Sequence, residues 1–354
     1  MTTFDIPTSN FQGTKDLPRF TAQSVLLVSF VSAFGLQALQ SAETGSINLL
    51  AVAAIGLLIH TVALYVLSLA VEGRRKAKDR LITILVTSAF SLAVIPLISL
   101  AYTVVSNGVA RFDADFFSMS MRNVVGEGGG ALHAIIGTLE ITTLAGVISV
   151  PVGIMTAIYL VEYGRGKLAR AVTFFVDVMT GVPSIVAGLF AYALFVIFFG
   201  PGVRMGFGGA IALSVLMIPV VIRATEEMLK IVPNELREAA YALGVPKWLT
   251  VLKVVLPTAL AGIATGVMIS IARVIGETAP LLLIAGFTAS MNYNPFSERM
   301  MTLPVFVYTS YANQGTNAQA YVDRAWAGAL TLMLIVMLLN LVARLISKYF
   351  SPKG

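Results

Sequence analysis

The chain has 354 residues, 57% hydrophobic and only 12% charged, with a formal net charge of +6. Soluble domains carry roughly 25% charged residues, so an ordinary soluble globular protein is excluded. There is no cysteine, and the two histidines, His60 and His133, stand far apart in apolar runs. Disulfides, thiolate sites and a zinc or iron centre are thereby excluded.

A hydrocarbon core about 30 Å thick needs about 20 apolar residues as helix. Read in chain order, the sequence contains eight such spans. The runs do not alternate apolar and polar residues, which rules out a membrane β-barrel. The N-terminus opens with Asp5, Pro7 and Asp16. It lacks a basic start and a small-residue cleavage site, so a removed signal peptide is not expected.

The first two spans, 22–39 and 47–69, are expected to form a tight hairpin through Ala42-Glu43-Thr44-Gly45-Ser46. The link after it carries Arg74, Arg75, Lys76, Lys78 and Arg80 and belongs in the cytosol by the positive-inside rule. Spans three and four, 81–105 and 131–161, flank a polar outer loop with Arg111, Asp113, Asp115 and Gly128-Gly129-Gly130. A basic link with Arg165, Lys167 and Arg170 returns to the cytosol. Span five, 171–199, is interrupted by Gly181-Val182-Pro183-Ser184, and a short outer turn, Gly200-Pro201-Gly202, leads to span six, 206–224. Span seven is expected over 257–287 and span eight over 325–346, with Asn292, Asn294, Pro295 and Asn313 in the outer loop between them. Both termini then lie inside. Because the basic residues cluster in short loops beside the spans, the net charge is no nucleic-acid signal.

Proline recurs at membrane depth, at Pro96, Pro151, Pro183, Pro219 and Pro280. Pro183 and Pro280 differ from the rest because Gly181 and Ser184, and Gly276 and Thr278, stand beside them. A broken helix exposes free N–H groups and a positive dipole end that suit an anion.

Arg273 and Glu277 fall well inside span seven. A mid-membrane charge costs roughly 2.5–3.5 kcal/mol even on the lenient insertion scale, so it faces a cavity or a partner. Spacing of four places the two on one helical face, where they are expected to pair. The pair reads as a structural lock or as a substrate gate, with arginine's fork matching an oxyanion. Arg223 closes span six and is followed by Glu226 and Glu227, a pattern that also fits a helix-end salt bridge. Asp177 in span five is a candidate counter-ion for one arginine, and Glu140 in span four is a further buried acid.

The polar segment between spans six and seven reads Glu235-Leu236-Arg237-Glu238-Ala239-Ala240-Tyr241-Ala242-Leu243-Gly244-Val245-Pro246-Lys247-Trp248 and ends at Leu256-Pro257. Its chemistry predicts helix, break, helix. Gly244 suits a left-handed helix end, and Pro246 suits the first turn of the next helix.

This segment resembles the EAA loop of ABC importer permeases. It carries Glu238-Ala239-Ala240, Gly244, Val254 and Leu256-Pro257, with Val for Ile as the one departure. Together with Leu132-His133-Ala134-Ile135-Ile136-Gly137-Thr138-Leu139, Gly181 through Gly188, and Arg273 through Leu282, it makes the chain resemble the PstA-type permeases of phosphate ABC importers. The resemblance implies an all-α polytopic fold: a type I ABC importer permease core of six transmembrane helices. Here a two-helix N-terminal hairpin is added. The organisation expected is a cytosolic tail at 1–20, the extra hairpin at 21–73, a basic cytosolic linker at 74–80, the core at 81–347 with its coupling loop at 226–257, and a cytosolic tail at 348–354.

The resemblance further implies a non-catalytic subunit in a bacterial or archaeal plasma membrane, importing inorganic phosphate. Its partners would be a PstC-like permease, two PstB-like ATPase subunits and an external PstS-like binding protein. ATP and Mg would bind the ATPase subunits, with no cofactor or metal in this chain. Family arginines implicated in phosphate passage map to Arg223 and Arg273. The expected translocation residues are Arg223, Arg273, Glu277, Thr278, Ser184 and Asp177. ATPase coupling would fall to Glu238, Ala239, Ala240, Gly244, Pro246, Leu256 and Pro257. Gly164-Arg165-Gly166-Lys167-Leu168 lacks the spaced glycine and Ser/Thr of a phosphate-cradling loop, so ATP hydrolysis by this chain is not expected. Three other readings share parts of the pattern. One is a permease for another oxyanion, one is a gradient-driven transporter using Glu140, Asp177 and Glu277 as carriers, and one is an added role in sensing phosphate supply.

Overall fold

A computed structural model describes residues 16–41 and 47–350. The expected hairpin turn at 42–46 and the outermost parts of both tails, 1–15 and 351–354, lie outside the described residues. The chain divides into two units, residues 1–101 and 102–354.

The first unit holds α1 (Thr21–Ser41), α2 (Leu49–Val71) and most of α3 (Arg74–Gly108). Asn48 caps α2 by accepting from the N–H groups of Leu50 and Ala51, as short polar side chains do. The basic link is not a loop but the first two turns of α3. At 35 residues this helix is about 52 Å long, well beyond the hydrocarbon thickness. Its basic start is held by Glu72, whose buried carboxylate accepts from Arg80 Nε and Nη2, both at 2.7 Å, from Ser68 Oγ at 2.7 Å and from Leu17 N at 2.9 Å. Chiefly through the Arg80 hydrogen bond, the carboxyl is held at about 2, below its ordinary 4.5. Lys76 also pairs with Asp16.

In the second unit α4 (Ala114–Ser118) leads to α5 (Leu132–Ile158), which ends in a π turn at Tyr159–Tyr163. Next come α6 (Gly166–Thr180), α7 (Ser184–Phe199), α8 (Gly206–Ile231), α9 (Asn234–Ala242) and α10 (Lys247–Thr250). A second π turn, Val251–Val255, runs into α11 (Leu256–Val274), followed by α12 (Ala279–Ile284), α13 (Leu303–Ala312) and α14 (Ala318–Phe350).

Helix α8 is the centre of this unit. Of its most apolar stretch 56% is buried, and no other spanning helix exceeds 22%. Leu213, Met217 and Val221 of α8 pack with Ile141 and Ala145 of α5 and with Val274, Leu281 and Phe306. Towards the other end of α8, Ile222 and Leu229 pack with Ala157, Ala259 and Ile263.

Among the described residues seven helices are long and apolar enough to cross a membrane, and the bent pair α6 and α7 makes eight if it is one span. The interruption expected in span five is present: α6 and α7 meet at 110° across the Gly181-Val182-Pro183 break. Proline marks the break, since it disfavours a helical residue before it and cannot donate within a helix. One expectation needs correction: span seven does not run on to residue 287. Helix α11 stops at Val274, and the chain restarts as the six-residue α12 at Ala279. Helix α13 was not expected from the sequence.

Candidate functional site

The two breaks flagged by proline come together. Gly188 of α7 lies against Pro280 of α12 so closely that a Cβ there would stand 2.6 Å from Pro280 Cα. Ser184 opens α7 and Thr278 precedes α12, both half-buried. The 181–188 and 273–282 segments, nearly 100 residues apart in the chain, thus share one contact.

The arginines sit at different depths. Gly262 of α11 faces Met228 of α8, and Gly266 faces Ala224, so the two helices run antiparallel. On that register Arg223 lies level with the residue after Gly266. Arg273, in the last turn of α11, is about 9 Å further from the end of α8 that leads into α9.

Their electrostatics differ as well. Arg223 Nη1 donates to Glu226 Oε2 at 2.7 Å, and its Nη2 donates to Asp177 of α6. Lys230 Nζ donates to the other oxygen of Glu226 at 2.7 Å. Glu226 is buried and Asp177 is exposed. The expected counter-ion is therefore Asp177, and Arg223 is neutralised from two sides; Glu227 takes no part in this network. The expected Arg273–Glu277 pair does not form. Glu277 lies beyond the end of α11, so the i,i+4 geometry that pairing needs is gone. Its backbone N–H turns back to Val274 O at 3.1 Å. Among the described residues Arg273 makes no ion pair and is exposed. Glu140 of α5 has one carboxylate oxygen buried without a hydrogen-bond partner.

At the far end of α8 the polar segment folds as the sequence predicts. Gly244 takes φ +75°. Its N–H reaches Tyr241 O at 2.9 Å, while Val245 N reaches Ala240 O at 3.1 Å. This is the paired closure of a glycine-ended helix. Pro246 precedes α10, and Leu256 and Pro257 open α11. Ala240 is buried, whereas Glu238 and Ala239 are exposed beside Leu243 and Trp248.

The model of the family described as "Binding-protein-dependent transport system inner membrane component" matches residues 149–353. The chain belongs to this family. It is 46% identical over 276 residues to the phosphate transport system permease protein PstA 1 of Mycobacterium tuberculosis, covering 77% of this chain and 90% of that protein. It is 45% identical over 273 residues to PstA of Mycobacterium leprae, covering 76% and 88%. In fold it is similar to a chain of a bacterial alginate ABC transporter crystallised with its alginate-bound periplasmic protein. That likeness has TM-score 0.56 at 15% identity, over 78% of this chain and 97% of that one. The permease fold and a place in the inner membrane follow.

Two residues that matter to the permease's polar segment escaped sequence reading. Glu162, in the π turn after α5, is buried and accepts from Arg237 Nη2 at 2.8 Å and Nε at 3.0 Å. Arg237 also donates to Val232 O at 2.6 Å and Leu229 O at 2.9 Å. Lys247 donates to Glu162 O and lies 5.1 Å from the centre of the Tyr163 ring. Arg237 thereby ties α9 to Glu162 after α5 and to the end of α8, and Lys247 ties α10 to the Glu162 backbone. The available signal was a lone acid in an otherwise basic loop, 162–170.

Proposed function

We propose that this chain is the permease subunit of an ATP-driven phosphate importer, in which Arg273 and then Arg223 handle the anion along a path beside α8 and α11. The observation that carries this reading is the guanidinium of Arg273, without an ion-pair partner among the described residues, at the helix break that ends α11. A charge in that setting is costly unless it meets water or an anion, and its fork suits an oxyanion. The relatives' names, phosphate transport system permeases at 46% and 45% identity, support phosphate as the cargo.

Phosphate meets Arg273 before Arg223, with the Thr278 and Ser184 hydroxyls and Glu277 around the breaks. It then displaces Asp177 from Arg223, nearer the coupling end. Asp177 and Glu226 hold Arg223 between passages, so the anion exchanges one set of charge-assisted hydrogen bonds for another.

The segment 226–257 faces the cytosol and seats on the ATPase subunits through Glu238, Ala239 and the exposed Leu243 and Trp248. Gly244, Pro246, Leu256 and Pro257 shape the turn, and Ala240 packs it against the permease. Both termini lie inside. The working unit adds a PstC-like permease, two PstB-like ATPase subunits and a PstS-like external binding protein. ATP and Mg bind the ATPase subunits, and this chain contributes no catalytic group and needs no cofactor. Closure of the ATPase pair pushes α9 and α10, and the Arg237–Glu162 tie carries that push to α8 and α5.

The reading is tested by ATP-dependent uptake of radiolabelled phosphate into liposomes holding the four components. We expect uptake that unlabelled phosphate competes away and that molybdate, sulfate and phosphonate do not. Preferential competition by another oxyanion, or transport that persists without the ATPase subunits, contradicts it.

A further inference from the structure

At the end of α8 away from the coupling segment lies a cavity of about 370 Å³, lined by Gly202, Arg204, Thr288, Glu298 and Arg299. This volume falls at the lower end of the ~300–1,000 Å³ typical of small-ligand sites. We propose that this cavity is an outer oxyanion site, the first station for phosphate before Arg273. The proposal rests on the phosphate reading above.

Two arginines reach the cavity from separate loops, and their stems converge on a single glycine. Gly286 is buried with φ +77°, and a Cβ there would stand 3.1 Å from Arg204 Cδ and 3.3 Å from Arg299 Cγ. Both arginine stems therefore lie against the bare Cα of one left-handed residue. Among the described residues neither guanidinium forms an ion pair, although Glu298 lines the same cavity. Neither charge is paired with a carboxylate, and the Arg299 guanidinium stands over the Phe287 ring at 6.0 Å, so both forks are free to take an anion. Two planar forks match the acceptors of a tetrahedral oxyanion, and Thr288 lines the same wall.

The cavity is also built. Met205 N donates to Ile284 O at 3.0 Å, and Met300 N donates to Ala285 O at 3.1 Å. These bonds lash the residues next to Arg204 and Arg299 to the end of α12. Asn292 Nδ2 donates to Ser297 O at 2.8 Å and to Arg299 O at 3.1 Å. That brackets Glu298, which takes φ +58°, a conformation uncommon for a residue with a side chain. Strain of this kind persists where the surroundings over-determine it, as at ligand sites. The start of α12 adjoins the break beside Arg273 and its end adjoins the cavity. The two arginine stations are therefore separated by one six-residue helix, about 9 Å of rise.

The chain's lack of cysteine makes the test direct. Thr288→Cys is placed in the full complex in liposomes and labelled with a membrane-impermeant thiosulfonate from the outer side. Labelling is followed on this chain, with phosphate or with chloride at equal ionic strength. Phosphate is expected to slow labelling by 1 + [L]/Kd, about tenfold at roughly ten times Kd. The added pair Arg204→Gln and Arg299→Gln is expected to remove that protection while the complex still co-purifies. Should Thr288→Cys fail to assemble, Glu298→Cys probes the same cavity. Equal slowing by chloride, protection that survives loss of both arginines, or labelling only from the inner side overturns the proposal. So does protection by the binding protein but not by phosphate, which would make the cavity a docking contact. Uptake by the native chain in parallel liposomes separates the two ideas. Native uptake with no protection sinks the cavity alone, whereas absent native uptake removes the phosphate reading itself.

Discussion

Arg223 and Arg273 are the same residue type on neighbouring helices, yet their surroundings set them apart. Arg223 is balanced by Asp177 and Glu226, so its charge is already satisfied at rest. Arg273 has no such balance, because the chain leaves helical geometry before Glu277 can reach back. This difference yields a test of Arg223. If its ion pair only fixes packing, the neutral double variant Arg223→Gln with Asp177→Asn should recover uptake. If Arg223 handles phosphate, the double variant should assemble normally yet keep uptake about tenfold or more below native, since a hydrogen bond to a charged group contributes about 1.5–3 kcal/mol. Uptake and co-purification of the two single variants and the double decide between these outcomes.

At the scale of elements, function depends on where helices stop. The close approach of Gly188 to Pro280 holds the two broken helices together, so Gly188→Val should force them apart. Overpacking of this kind costs about 1–3 kcal/mol. The expected result is an assembled complex with little uptake, and near-native uptake would show that the contact is incidental. The left-handed Gly244 makes a second prediction. A residue with a side chain there costs about 1–2 kcal/mol, so Gly244→Val should leave basal ATP hydrolysis intact while removing its stimulation by phosphate-loaded binding protein. Unchanged stimulation would contradict the coupling role. The helix–break–helix of this segment was legible because glycine and proline act locally. The helix boundaries around 181–184 and 275–278 were only partly legible. The residues marked a break, but nothing in the local sequence sets a 110° turn or stops α11 at Val274. Those follow from packing of α7 and α12 against each other and against α8. Likewise Asp177 was readable as a counter-ion, while the Glu162–Arg237 tie joins residues 75 positions apart, so the lone acid at 162 marked one partner and nothing local marked the other.

At the scale of the whole molecule, one long buried helix links two ends with different chemistry. The α9–α10 segment is tied to one end of α8 through Glu162 and Arg237, and the breaks and the Arg204–Arg299 cavity gather towards the other. Such an arrangement suits a subunit that receives force at one end and handles an anion along its length. The spans and the apolar composition were readable because membrane helices must satisfy their backbone internally. The depth order of the arginines was not, because it depends on the antiparallel register of α8 and α11. The most direct test is ATP-driven uptake of radiolabelled phosphate into liposomes holding the assembled complex, with native Arg273 compared with Arg273→Gln. The account predicts an assembled variant with basal ATPase activity and uptake lowered roughly 10- to 150-fold, the equivalent of about 1.5–3 kcal/mol. Native uptake by Arg273→Gln would contradict it.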